Sequence, residues 1–110
     1  MPEDFVSLPA MNAGDNVGFN VRDPATFPVA FMLEVHTLDF VNNSSGVIKV
    51  RVNGRVVPIA AGAPGHIVIS GGHVTDFQVM PAAATSAGDV LCIAKGDVHR
   101  SLAALYSQGG

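Results

Sequence analysis

The stretch from 47 to 59, VIKVRVNGRVVPI, constrains the fold more than any other part of the chain. Ile48, Val50 and Val52 alternate with Lys49 and Arg51, the period of two of a half-buried strand. Asn53-Gly54 follows, and a type I′ turn needs positive φ at both central positions, which Asn and Gly accept most readily. A two-residue loop sets Val52 opposite Arg55, Val50 opposite Val57 and Ile48 opposite Ile59. One face of this hairpin is then aliphatic, and the other carries Lys49 and Arg51 opposite Pro58 and Val56. Pro58 has no N–H to give to a ladder, so the second strand belongs at a sheet edge or beside a bulge.

A chain of 110 residues fits one domain with one modest core. Only 14% of it is charged while 48% is hydrophobic, a thin charge cover for an isolated small domain. That deficit suggests a surface partly covered by copies of the same chain or by another partner. With a net charge of −3 and six Lys and Arg, the chain lacks the electrostatic footprint of a nucleic-acid binder. No apolar run approaches the roughly 20 residues that span a bilayer, and MPEDFVSLPAM does not read as a signal peptide. The single cysteine, Cys92, sits in VLCIA, reads as a small buried hydrophobe, and fits assembly in a reducing cytoplasm.

Residues 1–28 read as an extended N-terminal arm, with Pro2, Pro9, Pro24 and Pro28 among Asn, Asp and Gly. Only Val17, Phe19 and Val21 alternate well enough for a short first strand. Phe5, Val6, Leu8 and Met11 are unlike a solvated tail. They are read as contact residues, with the arm lying either across a neighbouring subunit or back on its own domain. The remainder, 29–110, reads as the β domain. Residues 29–41 suggest one long strand with Val29, Phe31, Leu33, Val35 and Thr37 on one face. HIVIS at 66–70, 74–80 and 89–95 supply further strands between turn signals, while the type of the last residues stays open. Many short strands and no long helix point to an all-β protein, a single β-sandwich or jelly-roll-like domain.

The chemistry-bearing residues form no constellation. The four histidines, His36, His66, His73 and His99, show none of the spacings of a jelly-roll metal site. Two of them meeting Asp76 in the fold would revive a small cupin-like, metal-dependent enzyme or binding module. Glu34 and Asp39 have opposite parity on the expected strand, which disfavours a carboxylate pair in one cleft. Ser44-Ser45-Gly46 lacks a nucleophile elbow, and Gly71-Gly72 lacks the helix and lysine of a phosphate loop. With no Trp and one Tyr, Tyr106, an aromatic sugar platform is also absent from the sequence. No catalytic residue, cofactor or metal is assigned.

From Val47 to Gly96 the succession of segments has a familiar rhythm. It runs through Asn53-Gly54, Val56-Val57-Pro58-Ile59, Gly62-Ala63-Pro64-Gly65, His66-Ile67-Val68-Ile69, Phe77-Gln78-Val79, Ala84-Thr85-Ser86-Ala87-Gly88-Asp89 and Val90-Leu91-Cys92-Ile93. This resembles small β-sandwich structural proteins of tailed bacteriophages, particularly capsid decoration (cement) proteins. The resemblance implies a homo-oligomer, often a trimer, seated on the major capsid protein at the virion surface after assembly in the host cytoplasm. It also implies function through surfaces rather than catalysis. Another phage structural module, in the tail, connector or fibre base, shares the same implication. The surface candidates are Phe5, Val6, Leu8 and Met11 of the arm and Lys49, Arg51, Val56 and Pro58 of the hairpin.

Overall fold

A computed structural model describes residues 3–68 and 73–98. Among these residues eight strands form two four-stranded antiparallel sheets packed face to face as a β-sandwich. In chain order they are β1 (Glu3–Ser7), β2 (Val17–Asn20), β3 (Leu33–Asn42), β4 (Ile48–Val52), β5 (Arg55–Ile59), β6 (Ala63–Val68), β7 (Asp76–Pro81) and β8 (Val90–Val98). The first sheet has the order β1-β8-β3-β6 and the second β2-β7-β4-β5. Among the described residues no helix is long and apolar enough to cross a membrane.

The hairpin forms in the register its turn dictates, with Ile48 opposite Ile59, Val50 opposite Val57 and Val52 opposite Arg55. Asn53 and Gly54 have φ of 50° and 78°, as a type I′ turn requires. β5, with Pro58, is an edge strand. Ile48, Val50, Val52 and Ile59 turn inward and are buried. They face a core whose centre is aromatic. Phe77 stacks on Phe19 at 5.3 Å between ring centroids and meets Phe27 and Phe40 edge-on at 6.0 and 5.5 Å. Phe40 comes from the first sheet and Phe19 and Phe77 from the second, so the cluster joins both layers.

The expected strand at 29–41 is shortened and re-phased. Ala30–Met32 form a 3-10 turn, Val29 is exposed, and the strand starts at Leu33. Against β8, Val35 pairs with Gly96 and Thr37 with Lys95, so His36 is the extra residue of a β-bulge. The bulge reverses the parity of the strand. Leu33 and Val35 face the core before it, and Leu38, Phe40 and Asn42 after it. Glu34 and Asp39 therefore share the outer face, contrary to the parity expected of an uninterrupted strand. They remain roughly 15 Å apart along it. Gly96 makes this possible, because a Cβ there would run into the Glu34 carbonyl and Val35 Cα.

Residues 3–28 carry no structural boundary at position 28. β1 pairs with β8 from Glu3↔Lys95 to Ser7↔Leu91, and β2 pairs with β7 from Val17↔Val79 to Asn20↔Asp76. The arm thus supplies one edge strand to each sheet. Val6, Leu8 and Met11 are buried in the chain's own core, and Met11 bridges Thr85. Burial of these three side chains offsets the ordering entropy that an isolated arm could not.

Three further boundaries differ from the alternation. β6 begins at Ala63, within a segment that composition marks as a turn, while Ile69 and Ser70 lie outside the described residues. β7 begins at Asp76 and Thr75 is exposed, with Phe77, Val79 and Pro81 facing the core. β8 continues past Gly96 to Val98, and the tail from His99 lies outside the described residues.

Candidate functional site

The outer face of the second sheet carries the hairpin candidates together. Lys49, Arg51, Val56 and Pro58 are all exposed, with Lys49 opposite Pro58 and Arg51 opposite Val56. Val56 is 43% accessible, high for a β-branched residue. On the far side of β4, Arg51 meets Gln78 and Lys49 meets Met80, and Gln78 meets Gly18 in β2. One row therefore runs Val56–Arg51–Gln78–Gly18 across all four strands. Gly18 brings no side chain to it, which leaves a shallow groove lined by Gly18, Asn20, Arg22, Thr75, Asp76 and Gln78.

The polar groups of the groove are held locally. Asn20 Oδ1 accepts the Arg22 backbone N–H at 2.9 Å, and Arg22 Nη1 donates to the Phe31 carbonyl at 3.0 Å. The Thr75 hydroxyl donates to Asp76 at 3.2 Å. Gln78 Oε1 is buried and, among the described residues, has no hydrogen-bond partner. An orphaned acceptor of this kind costs about 1–3 kcal/mol. Phe19 and Phe77 turn into the core, so the groove offers no aromatic platform.

The arm candidates separate. Phe5 is 66% exposed on the outer face of the first sheet, whereas Val6, Leu8 and Met11 are interior. The period-two alternation of β1 explains the split, since Phe5 points away from the core while Asp4 and Val6 point toward it. Asp4 is buried but satisfied, accepting the Val29 and Ala30 N–H groups at 2.9 Å each.

A charged cluster that the alternation conceals lies on the outer face of the first sheet. Asp39 of β3 receives Lys95 of β8 at 2.6 Å and a contact from His66 Nδ1 of β6. Burial alone would raise the Asp39 pKa, but the hydrogen bonds from Lys95 and His66 outweigh it and hold the carboxyl below its ordinary range. The same bond to Asp39 holds Lys95 above its ordinary value. Three strands are needed to assemble the cluster, and the bulge at His36 sets Asp39 on the outer face. It lies on an open sheet face, apart from the groove of the second sheet.

Cys92 is fully buried, and desolvation, with the negative charges of Asp4 and Asp39 adding to it, pushes its thiol far up. That keeps it protonated and a poor nucleophile. Among the described residues no group of three or more His, Cys, Asp and Glu is placed to hold a metal ion. His66 and His36 engage Asp39 and Thr37 respectively, His73 is exposed, and His99 lies outside the described residues.

Fold and surface together define a class, an antiparallel two-sheet β-sandwich with a mixed basic–apolar outer face. No protein-family model matches the chain, and no curated protein matches it either.

Proposed function

We propose that this protein is a structural component of a tailed-bacteriophage virion, a capsid decoration or cement protein that binds the major capsid protein and stabilises the head. The observation that carries the reading is the outer face of β4–β5. There Lys49, Arg51, Val56 and Pro58 stand exposed on a rigid hairpin, ready for a partner surface of acidic and apolar character. The low charge of the whole chain and its resemblance to decoration proteins support the same assignment. On an icosahedral shell each contact is repeated many times, so a modest interface per copy suffices. Such a protein acts by contact and uses no cofactor.

Co-sedimentation of the purified protein with expanded phage heads tests this, alongside immunogold localisation in virions. Binding to heads is expected, with Arg51→Glu and Val56→Glu each weakening it at least tenfold without loss of folding. Both positions are exposed, so their substitution leaves the core intact. Labelling of tails rather than heads would move the protein to a connector or fibre-base role. Absence from particles would refute the virion reading.

A further inference from the structure

We propose that β1 is a self-pairing edge. Two copies of the chain join β1 to β1 antiparallel about a two-fold axis at Phe5, merging two four-stranded sheets into one of eight strands. The proposal stands on the edge strand itself and does not depend on the capsid reading above.

The sandwich ends in four edge strands, β1, β6, β2 and β5. Three of them carry devices that discourage strand addition. β5 contains Pro58 and the exposed Arg55, β6 contains Pro64, and β2 is only four residues long with Gly18 in it. β1, EDFVS, has neither Pro nor Gly, carries its one exposed charge, Glu3, at its first residue, and among the described residues pairs with β8 alone. An inward charge can also guard an edge, and Asp4 points inward. Its carboxylate is held on the inner face by the Val29 and Ala30 N–H groups, turned away from the backbone edge that a second strand would join.

Among the described residues the exposed large hydrophobics are Phe5 at 66%, Val56 at 43%, Val29 at 41% and Val47 at 40%, and two of these four lie at this edge. Phe5 is on β1, and Val29 is bound to it through Asp4. A strand that offers backbone groups and an uncovered aromatic ring has both parts of a pairing surface.

The partner is a second copy because the strand is self-complementary in one register only. The Leu8 N–H is directed to Val90 of the β8 strand, so the alternating Val6 and Asp4 also face β8. Glu3, Phe5 and Ser7 therefore direct their backbone groups outward. A two-fold axis at Glu3 or at Asp4 would set that acidic residue against itself, and one at Val6 or at Ser7 would place Glu3 or Phe5 opposite Pro9, which lacks an N–H. An axis at Phe5 sets Phe5 against Phe5, Asp4 against Val6 and Glu3 against Ser7, with no like charges opposed. Such a contact is isologous and closes as a dimer. One strand pair with Phe5 and Val29 is a small interface, so association in free solution is weak and grows when copies are held side by side.

Sedimentation velocity of the full chain over a concentration series provides the test, with Phe5→Glu and Phe5→Cys as variants. The wild type should shift from monomer to dimer as concentration rises, and Phe5→Glu should remove the shift while keeping the circular dichroism melt of the parent. Under mild oxidation Phe5→Cys should trap a covalent dimer, since paired Cα atoms about 5.5 Å apart are within disulfide reach. The native Cys92 is buried and does not compete. A wild type that stays monomeric into the millimolar range, a dimer that survives Phe5→Glu, or a trimer in place of a dimer overturns the proposal. These readouts use the protein alone, whereas head binding is read on particles, so failure of one is distinct from failure of the other.

Discussion

Asn42 should be among the least replaceable side chains of the fold, although it reads as the first residue of a polar loop. It ends β3 in the first sheet and is fully buried. Its Nδ2 donates to the Gly46 carbonyl at 2.9 Å and to the Ile59 carbonyl, on β5 of the second sheet, at 3.0 Å. Its Oδ1 accepts from the Ser44 backbone N–H at 3.1 Å and the Ser44 hydroxyl at 2.5 Å. One amide thus shapes the turn before β4 and ties the two sheets together.

Asn42→Leu keeps the volume and removes all of these bonds. The Gly46 carbonyl retains the Ser44 hydroxyl at 3.0 Å and the Ile59 carbonyl retains its place opposite Ile48 in the hairpin ladder, so the group left orphaned is the Ser44 N–H. At about 1–3 kcal/mol for the orphaned N–H and about 1 kcal/mol for each bond lost from the Gly46 and Ile59 carbonyls, less the gain from a more apolar side chain, the loss comes to about 3 kcal/mol. That is a large part of the 5–15 kcal/mol that holds a domain of this size. Urea denaturation measures it directly, with Ser44→Ala expected to lose only about 1 kcal/mol. In the double mutant the two losses should fall well short of adding, because they delete the same bonds. Asn42→Leu within 1 kcal/mol of the parent would refute the view that this amide network joins the sheets.

Gly96→Ala should cost about 3 kcal/mol or more and lower the melting temperature sharply, because its Cβ meets rigid Glu34 and Val35 backbone rather than a movable side chain. Thermal melts of Gly96→Ala and of an exposed-glycine control, Gly18→Ala, should differ clearly. The Asp39–Lys95 pair predicts two pH limits. Asp39 is held below its ordinary 3.8, so its contribution is present above that value and is lost as pH falls through the lower folded value. Lys95 is held above its ordinary 10.5, so its contribution is present below that value and is lost as pH rises through the higher folded value. Urea midpoints compared with Asp39→Asn should converge at both extremes and stay parallel between them.

What the sequence made legible was local. The hairpin register, the I′ turn and the edge position of β5 follow from neighbouring residues alone, through the φ demands of Asn53-Gly54 and the missing N–H of Pro58. The exposed hairpin set was readable for the same reason. The sequence could not show that Val6, Leu8 and Met11 fill the chain's own core, because the same apolar side chains suit a neighbour's surface equally well. Only the pairing of β1 with β8, nearly 90 residues further along the chain, decides it (Glu3↔Lys95, Phe5↔Ile93).

The charged cluster was hidden by a different mechanism. A period-two reading propagates parity along the whole strand, so one extra residue at His36 inverts everything beyond it. The bulge follows from the fit between β3 and β8, where Gly96 permits a backbone approach that any side chain would prevent. In the sequence Gly96 suits a turn after the strand at 89–95 as well as a close approach within a strand, and only the partner strand distinguishes them. The same inversion brings Leu38, Phe40 and Asn42 to the core and Asp39 to the surface between Lys95 and His66. A glycine flanked by strand residues, as in Lys95-Gly96-Asp97, is therefore a reason to read the partner strand in both phases before assigning its faces. For a protein that acts through its surfaces, that choice of phase determines which residues a partner can touch.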